Sequence, residues 1–356
     1  MSVSSNTRSP ERPAGAPKEE PLTHAAGRRA LLGLAALGAA GRAAAQGGPQ
    51  PRAPGTDYPN RPVRVLVAFA PGGNADITAR LISGALSAQT GQQFVVENRP
   101  GGGGVVALEA LAAAPPDGYT LFVGALSTHA LNLGLYKSLP AHPLTGVENI
   151  TVSSLSPLLL AVKPALPAAT LAEFRDLLRR ERGRFQYGSS GNGSTGHIAA
   201  ALLLHQLGVE ALHVPYRGSA PAFSDLAAGR MDFQVDTVSF LTPHIRQGTV
   251  RGLVIGARER SPQLPDVPSA PEAGLPQYEA STWTPWSAPK GTPAPIVQFL
   301  YEQIQVALRG EDVLARLRQL GNDAVPGLTP ERTRAFIGAE IEKWVPVVRA
   351  TGATVD

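Results

Sequence analysis

Four glycine-rich or small-polar turns stand where a strand pattern gives way to a helix pattern. They are Pro71-Gly72-Gly73-Asn74-Ala75-Asp76, Arg99-Pro100-Gly101-Gly102-Gly103-Gly104, Ser189-Ser190-Gly191-Asn192-Gly193-Ser194-Thr195-Gly196 and Arg217-Gly218-Ser219-Ala220-Pro221. A helix that starts at such a turn offers amide N–H groups without partners and a partial positive charge, and glycine lets a ligand approach the backbone. The chemistry on offer is anion binding, with no covalent step. Two such loops facing one another would hold a dicarboxylate across a cleft. Each turn alone also reads as an ordinary turn, and Arg99 to Gly104 reads most simply that way. Asp236 follows the apolar run Met231 to Val235, which puts a carboxylate at a strand end. It suits a ligand amine or an ordered water, or equally a helix N-cap.

Other chemistries find less support. Gly191-x-Gly193-x-x-Gly196 fits the dinucleotide fingerprint between a strand and a helix. The next strand, Ala211 to Pro215, however, runs into Tyr216-Arg217 with no acidic residue for a ribose. An exported NAD(P)-binding oxidoreductase is thus the enzymatic alternative to a binding protein. Gly188-x-Ser190 does not complete a nucleophile elbow, because Asn192 takes the place of the second glycine. His197 and His205 are eight apart on one helix pattern, and no His-x-x-x-His or His-Glu-x-x-His pair occurs. His129, His213 and His244 read as turn or core histidines, and Trp283 and Trp286 as core. With no cysteine in the chain, disulfides, thiolate metal sites and cysteine nucleophiles are excluded. The expectation is a protein with no metal, no cofactor and no catalysis.

The elements that would position these turns alternate. Strand patterns over Val63–Phe69, Phe94–Glu97 and Tyr119–Gly124 are separated by helix patterns over 75–89 and 105–114. A second set has strands at Ser156–Val162, Arg184–Gly188, Ala211–Pro215, Met231–Val235 and Val250–Ile255, with helices over 170–182, 195–207 and 220–228. Thr170 and Glu173 form a capping box. Helices over 294–309, 311–320 and 330–349 close the chain. The alternation predicts parallel α/β sheet. Two units of similar size, with the last helices returning to the first, predict two lobes and a cleft between them.

The N-terminus reads as an export leader over residues 1–45. Arg28-Arg29 precedes an apolar run of about a dozen residues and the small-residue site Ala43-Ala44-Ala45, and the arginine pair resembles a twin-arginine signal. Residues 46–57 read as a Gly/Pro/Gln linker. Residues 1–45 carry six of the 32 Lys and Arg and three of the 28 Asp and Glu, leaving 26 basic and 25 acidic residues beyond them. The basic balance therefore belongs to the leader and gives no ground for a nucleic-acid partner. The expected product is a periplasmic protein, monomeric, without a membrane span.

Seven motifs in order then resemble one family. They begin with Tyr58-Pro59-Asn60-Arg61-Pro62-Val63 and Phe69-Ala70-Pro71-Gly72-Gly73-Asn74-Ala75-Asp76. Next come Glu97 to Gly104, Pro116-Asp117-Gly118-Tyr119-Thr120-Leu121, Tyr187 to Ser194 and Val214 to Pro221. Leu264-Pro265-Asp266-Val267-Pro268 with Glu272 to Pro276 completes the set. The chain resembles the Bug-type (TctC-like) extracytoplasmic solute receptors of tripartite tricarboxylate transporter systems over residues 58–350. The resemblance implies a two-lobed periplasmic-binding-protein type II fold with a hinge. Residues 58–157 and 282–356 would form lobe 1, and 158–281 lobe 2. It implies a small carboxylate ligand (a dicarboxylate, an amino acid or an aromatic acid) and membrane transporter subunits as partners; a sensor kinase is the alternative client. It assigns ligand contacts to Gly72, Gly73, Asn74 and Asp76, to Ser127 and Thr128, and to Ser190, Gly191, Asn192 and Asp236. The chain departs from the family pattern at Asn74, at Ala141-His142 and at Thr284-Pro285-Trp286, the last near the expected hinge.

Overall fold

The capping box predicted at Thr170 forms. The Glu173 amide donates to Thr170 Oγ1 at 3.2 Å, and the Glu173 carboxylate accepts from the Ala169 amide at 2.7 Å. The first bond satisfies one of the donors that a helix start leaves without partners, and the return bond ties down the residue before the N-cap. In this computed structural model, which describes residues 51–355, the helix is one of an alternating series. The first half contains β1 (Val63–Val67), α1 (Asn74–Thr90), β2 (Phe94–Asn98), α2 (Val105–Ala112), β3 (Thr120–Val123), α3 (Asn132–Leu135) and the long β4 (Val147–Val162). Next come α4 (Leu171–Arg180), β5 (Gln186–Ser189), α5 (Thr195–Leu207), β6 (Leu212–Pro215), α6 (Ser219–Ala227), β7 (Phe233–Thr237), α7 (Val238–Arg246) and β8 (Arg251–Ile255). The chain ends with β9 (Ser281–Pro289), α8 (Ala294–Arg309), α9 (Glu311–Gln319), β10 (Asp323–Ala324) and α10 (Pro330–Ala350). The expected leader lies outside the described residues. Among the described residues no helix is long and apolar enough to cross a membrane.

The strands form one mixed sheet in the order β2-β1-β3-β9-β4-β7-β5-β6, with β8 and β10 also on β4. The expectation of parallel sheet holds within each set of strands and is corrected where the sets join. β1, β2 and β3 are mutually parallel, as are β5, β6 and β7, but β9 is antiparallel to β3 and β4, and β4 is antiparallel to β7. The sequence reading missed the first nine residues of β4, all of β9 and α7. The hidden part of β4 carries Asn149, Thr151, Ser153 and Ser154, all buried. Polar residues there break the apolar pattern, but they bond across to β9 and nearby loops: Ser154 Oγ to Thr284 Oγ1 at 3.1 Å, and Trp286 Nε1 to Ser153 Oγ at 3.1 Å. Residue 285 is proline, yet it pairs with Val152 beside a register shift, which is where a central strand tolerates one. In the described part of the expected linker, Ala53 is buried in the core beside Tyr58.

The antiparallel steps decide where strand ends go. The first part of β4, Val147 to Pro157, pairs with β9, and the last part, Leu158 to Val162, pairs with β7. Two antiparallel steps make β3 run with β4, so its carboxyl end points toward the second half of the sheet. β7 runs against β4, so its carboxyl end points back. The carboxyl ends of the two parallel sets therefore face one another. Val123 is level with Trp286, which pairs with Thr151, whereas Thr237 pairs with Leu158. The gap between them is thus on the order of 20 Å of β4 at about 3.3 Å per residue. The helices back both sets. Ile82, Leu86, Phe299 and Leu300 cover β1 and β3, while Phe174, Ile198 and Leu203 cover β5 and β7. Trp344 of α10 and Trp283 join this second cluster and are fully buried, as expected of core tryptophans.

Candidate ligand-binding cleft

On the first side, the loop after β1 is shaped by its own aspartate. Asp76 is buried, and its carboxylate accepts from the Gly72 amide at 2.9 Å, Arg80 Nε at 3.1 Å and Asn98 Nδ2 at 2.8 Å. Burial alone would raise its pKa, but these bonds outweigh it and hold the carboxyl below its usual range. The aspartate is thus fully engaged and faces inward. Gly73 sits at the N-cap of α1, and no side chain caps that helix. Its first-turn amides, beside exposed Gly72 and Gly73, are the anion-binding feature the sequence predicts. Asn74 is held from its own side: Asn322 Nδ2, just before β10, donates to its Oδ1 at 2.6 Å.

The segment after β3 adds Ser127 and Thr128, both buried. Thr128 Oγ1 is used locally, accepting from the Ala125 amide at 3.0 Å and lying 2.8 Å from His129 Nδ1. Ser127 Oγ makes no hydrogen bond among the described residues. His129 is fully enclosed, with Nε2 3.2 Å from Ser287 Oγ, and burial pushes its pKa down to about 3.

On the facing side, the turn after β5 sits between β6 and α3. Gly191 and Gly193 point their amides inward, to Ser189 Oγ at 3.2 Å and His197 Nδ1 at 3.0 Å. The amides and the hydroxyl of the alternate residues Ser190 and Asn192 have no such partners among the described residues. The Asn192 side chain turns away, donating to the Thr354 carbonyl at 3.1 Å. Gly193 has φ +71°, and a Cβ there would lie 2.5 Å from Leu135 Cδ1, so only glycine lets this turn close on α3. Asp236, the next-to-last residue of β7, is also engaged. It accepts from Ser219 Oγ at 2.5 Å, Gln234 Nε2 at 2.9 Å and the Thr237 amide at 2.8 Å. Burial raises its pKa, and those bonds offset only part of the rise. The site residues thus fall into two groups. The Gly73 and Asn74 amides and the Ser127 and Ser190 hydroxyls have no hydrogen-bond partner among the described residues, whereas the Gly72 and Gly191 amides are taken by Asp76 and Ser189. Asp76, Thr128, Asn192 and Asp236 spend their side chains on the protein.

Sequence reading missed Asn322, Gln234 and the pairing of His197 with His213. Buried Gln234 Oε1 and Asn322 Oδ1 make no hydrogen bond among the described residues. Neither residue sits in a glycine-rich turn, so no local pattern marks it. The halves also touch beyond the loops: Gln263 Nε2 donates to the Gln319 carbonyl at 2.8 Å, and Gly321 packs on Ser239 at the start of α7.

The dinucleotide fingerprint serves packing. A Cβ on Gly196 would lie 2.4 Å from the Val235 carbonyl, so this glycine brings α5 close to β7. The His197 amide donates to Ser194 Oγ at 3.3 Å and the Gly193 amide is taken by His197, so donors that a pyrophosphate would need are occupied. A cavity of about 940 Å³ lies elsewhere, between α4, α5, β6 and the end of α10. Helix faces bound it, not strand carboxyl ends, so the cleft described above is the better match to how open α/β sheets hold ligands.

Residues 78–353 match a family described as the tripartite tricarboxylate transporter family receptor. A Pseudomonas protein encoded in the tcbD-tcbE intergenic region is 37% identical over 292 residues, 82% of this chain and 86% of the relative. A solved R. palustris protein with adipate is 36% identical with a TM-score of 0.76, covering 84% of this chain and 100% of that one. MatC from Rhodopseudomonas palustris, solved with bound malate, is 36% identical with a TM-score of 0.73, covering 82% and 100%.

Proposed function

This chain belongs to the tripartite tricarboxylate transporter receptor family, and we propose that it captures a small dicarboxylate in the cleft between its two sets of strand ends and presents it to membrane transporter subunits. The observation that carries the reading is the antiparallel arrangement about β4, which turns the carboxyl ends of the two parallel strand sets, and the glycine-rich turns that follow them, toward each other. One carboxylate would take the uncapped first turn of α1 at Gly73 and Asn74 with Ser127. The other would take Ser190 and the amide of Asn192. Asp76, Thr128 and Asp236 position those groups. The relatives solved with adipate and malate support a diacid of four to six carbons. The lobes would divide near Pro157 and Ser281, where β4 and β9 cross, with residues 58–157 and 282–356 against 158–281. Closure would follow ligand contact with both sides. Residues 1–45 would direct export to the periplasm.

The test is a thermal-shift titration of refolded, ligand-stripped protein with adipate, malate, amino acids and aromatic acids, and with NADH as the opposing probe. At 100 times Kd a true ligand stabilises by about 2.7 kcal/mol, a rise of about 5 °C for a chain of this size. A shift with NADH and none with any acid would overturn the proposal.

A further inference from the structure

Behind the Ser189–Ser194 turn lie two stacked imidazoles. The rings of His197, on the first turns of α5, and His213, in the middle of edge strand β6, are 3.7 Å apart at 4°. Each holds the turn from the side opposite the cleft. His197 Nδ1 accepts from the Gly193 amide at 3.0 Å. His213 Nε2 lies 2.7 Å from Ser189 Oγ, and that hydroxyl bonds both the amide and the carbonyl of Gly191. An amide N–H only donates, so Nδ1 of His197 must carry a lone pair and its proton must sit on Nε2. A doubly protonated His197 would turn N–H against N–H at Gly193.

We propose that neutral His197, stacked on His213, is a positioning residue that fixes the Ser190–Gly191–Asn192 turn in its ligand-facing shape, and that proton uptake by the pair releases the turn. This rests on the reading of that turn as a ligand contact, but its structural half stands apart from any ligand. The alternation is the physical content. With the amides of residues 191 and 193 drawn inward, those of 190 and 192 are left to face the gap. Protons have a route, because both rings line the 940 Å³ cavity behind the turn. The titratable neighbours there are Tyr187 of β5, Arg179 and Arg182 of α4, His205 of α5 and Glu210; α10 contributes none to the cavity wall. Burial, joined for His197 by the charge of His213, holds both imidazoles down to about 4, so the pair is neutral at pH 7.

Two variants separate the bond from the ring. His197→Phe keeps a stacking ring and loses the acceptor. His197→Asn loses the ring and keeps an acceptor where Nδ1 stood. Hydrogen exchange of the segment 189–197 and titration with adipate and malate are measured at pH 7 for both and for the wild type. The expected result is at least tenfold faster exchange at Gly193 and at least tenfold weaker binding in His197→Phe, with His197→Asn close to wild type. In the wild type, Gly193 protection is lost as pH falls through about 4. Equal loss in both variants, or wild-type exchange in His197→Phe, overturns the proposal. So does a ¹⁵N imidazole spectrum showing the His197 proton on Nδ1 at pH 7, which needs no variant. If neither acid binds the wild type, the dicarboxylate reading fails while exchange and tautomer still decide the role of His197.

Discussion

Asp76, in the first turn of α1, and Asp236, near the end of β7, lie on opposite sides of the cleft, and their surroundings move their protons in opposite directions. Asp76 gains a guanidinium, a backbone amide and an amide side chain, and stays ionised below the usual range. Asp236 has no cation beside it, only Ser219, Gln234 and Thr237, and burial raises it. Both carboxylates accept several bonds from the protein, which suits them to position the loops that carry them. Asp236→Ala strands the fully buried Gln234 Nε2 and frees Ser219 at the start of α6. Leaving a buried donor unpaired costs about 1–3 kcal/mol. The expected outcome is a loss of about 2 kcal/mol in urea unfolding, with weaker dicarboxylate binding following from a displaced α6. Unchanged stability with abolished binding would instead make Asp236 a direct contact.

At the scale of elements, helices and parallel strands were legible because their side chains keep one period. The α5 boundaries, Thr195–Leu207, match the sequence reading residue for residue, and the Thr170–Glu173 box forms. What was illegible is the pair of strands that sets the architecture. In β4 and β9 the buried positions include Asn149, Thr151, Ser153, Thr284 and Ser287, whose burial depends on partners more than 100 residues away. The glycine turns were legible as turns, but which backbone groups face the cleft depends on contacts such as Gly193 with Leu135. That contact carries a prediction of its own. Gly193→Ala pays about 1–2 kcal/mol for a left-handed backbone and also drives a methyl into Leu135. Calorimetric titration with adipate or malate should show binding weakened at least tenfold, and Leu135→Ala in the same chain should recover the steric part only. Full affinity in Gly193→Ala would mean that the turn need not close on α3.

At the scale of the whole molecule, three buried histidines link stability to pH. His129, His197 and His213 are held down to about 3, 4 and 4, chiefly by burial, whereas an unfolded histidine titrates near 6.5. As pH falls below about 6.5 the unfolded chain takes up these protons and the folded chain does not, so acid draws the equilibrium toward unfolding. The stability they contribute is present above 6.5 and is lost progressively down to their folded values. Most carboxylates are not yet titrating between 6.5 and 5, so histidines dominate that window. His129 is fully enclosed, and alone it should account for about 2 kcal/mol of stability lost between pH 7 and pH 5. Urea unfolding across this range is therefore expected to show a steep decline in the wild type. His129→Asn, which keeps an acceptor beside Thr128, should start less stable but fall less steeply, by about that amount. A wild-type profile flat from pH 7 to 5 would mean that these imidazoles reach water and protons in the folded state, and the same result would remove the basis for a proton-sensitive turn at Gly193.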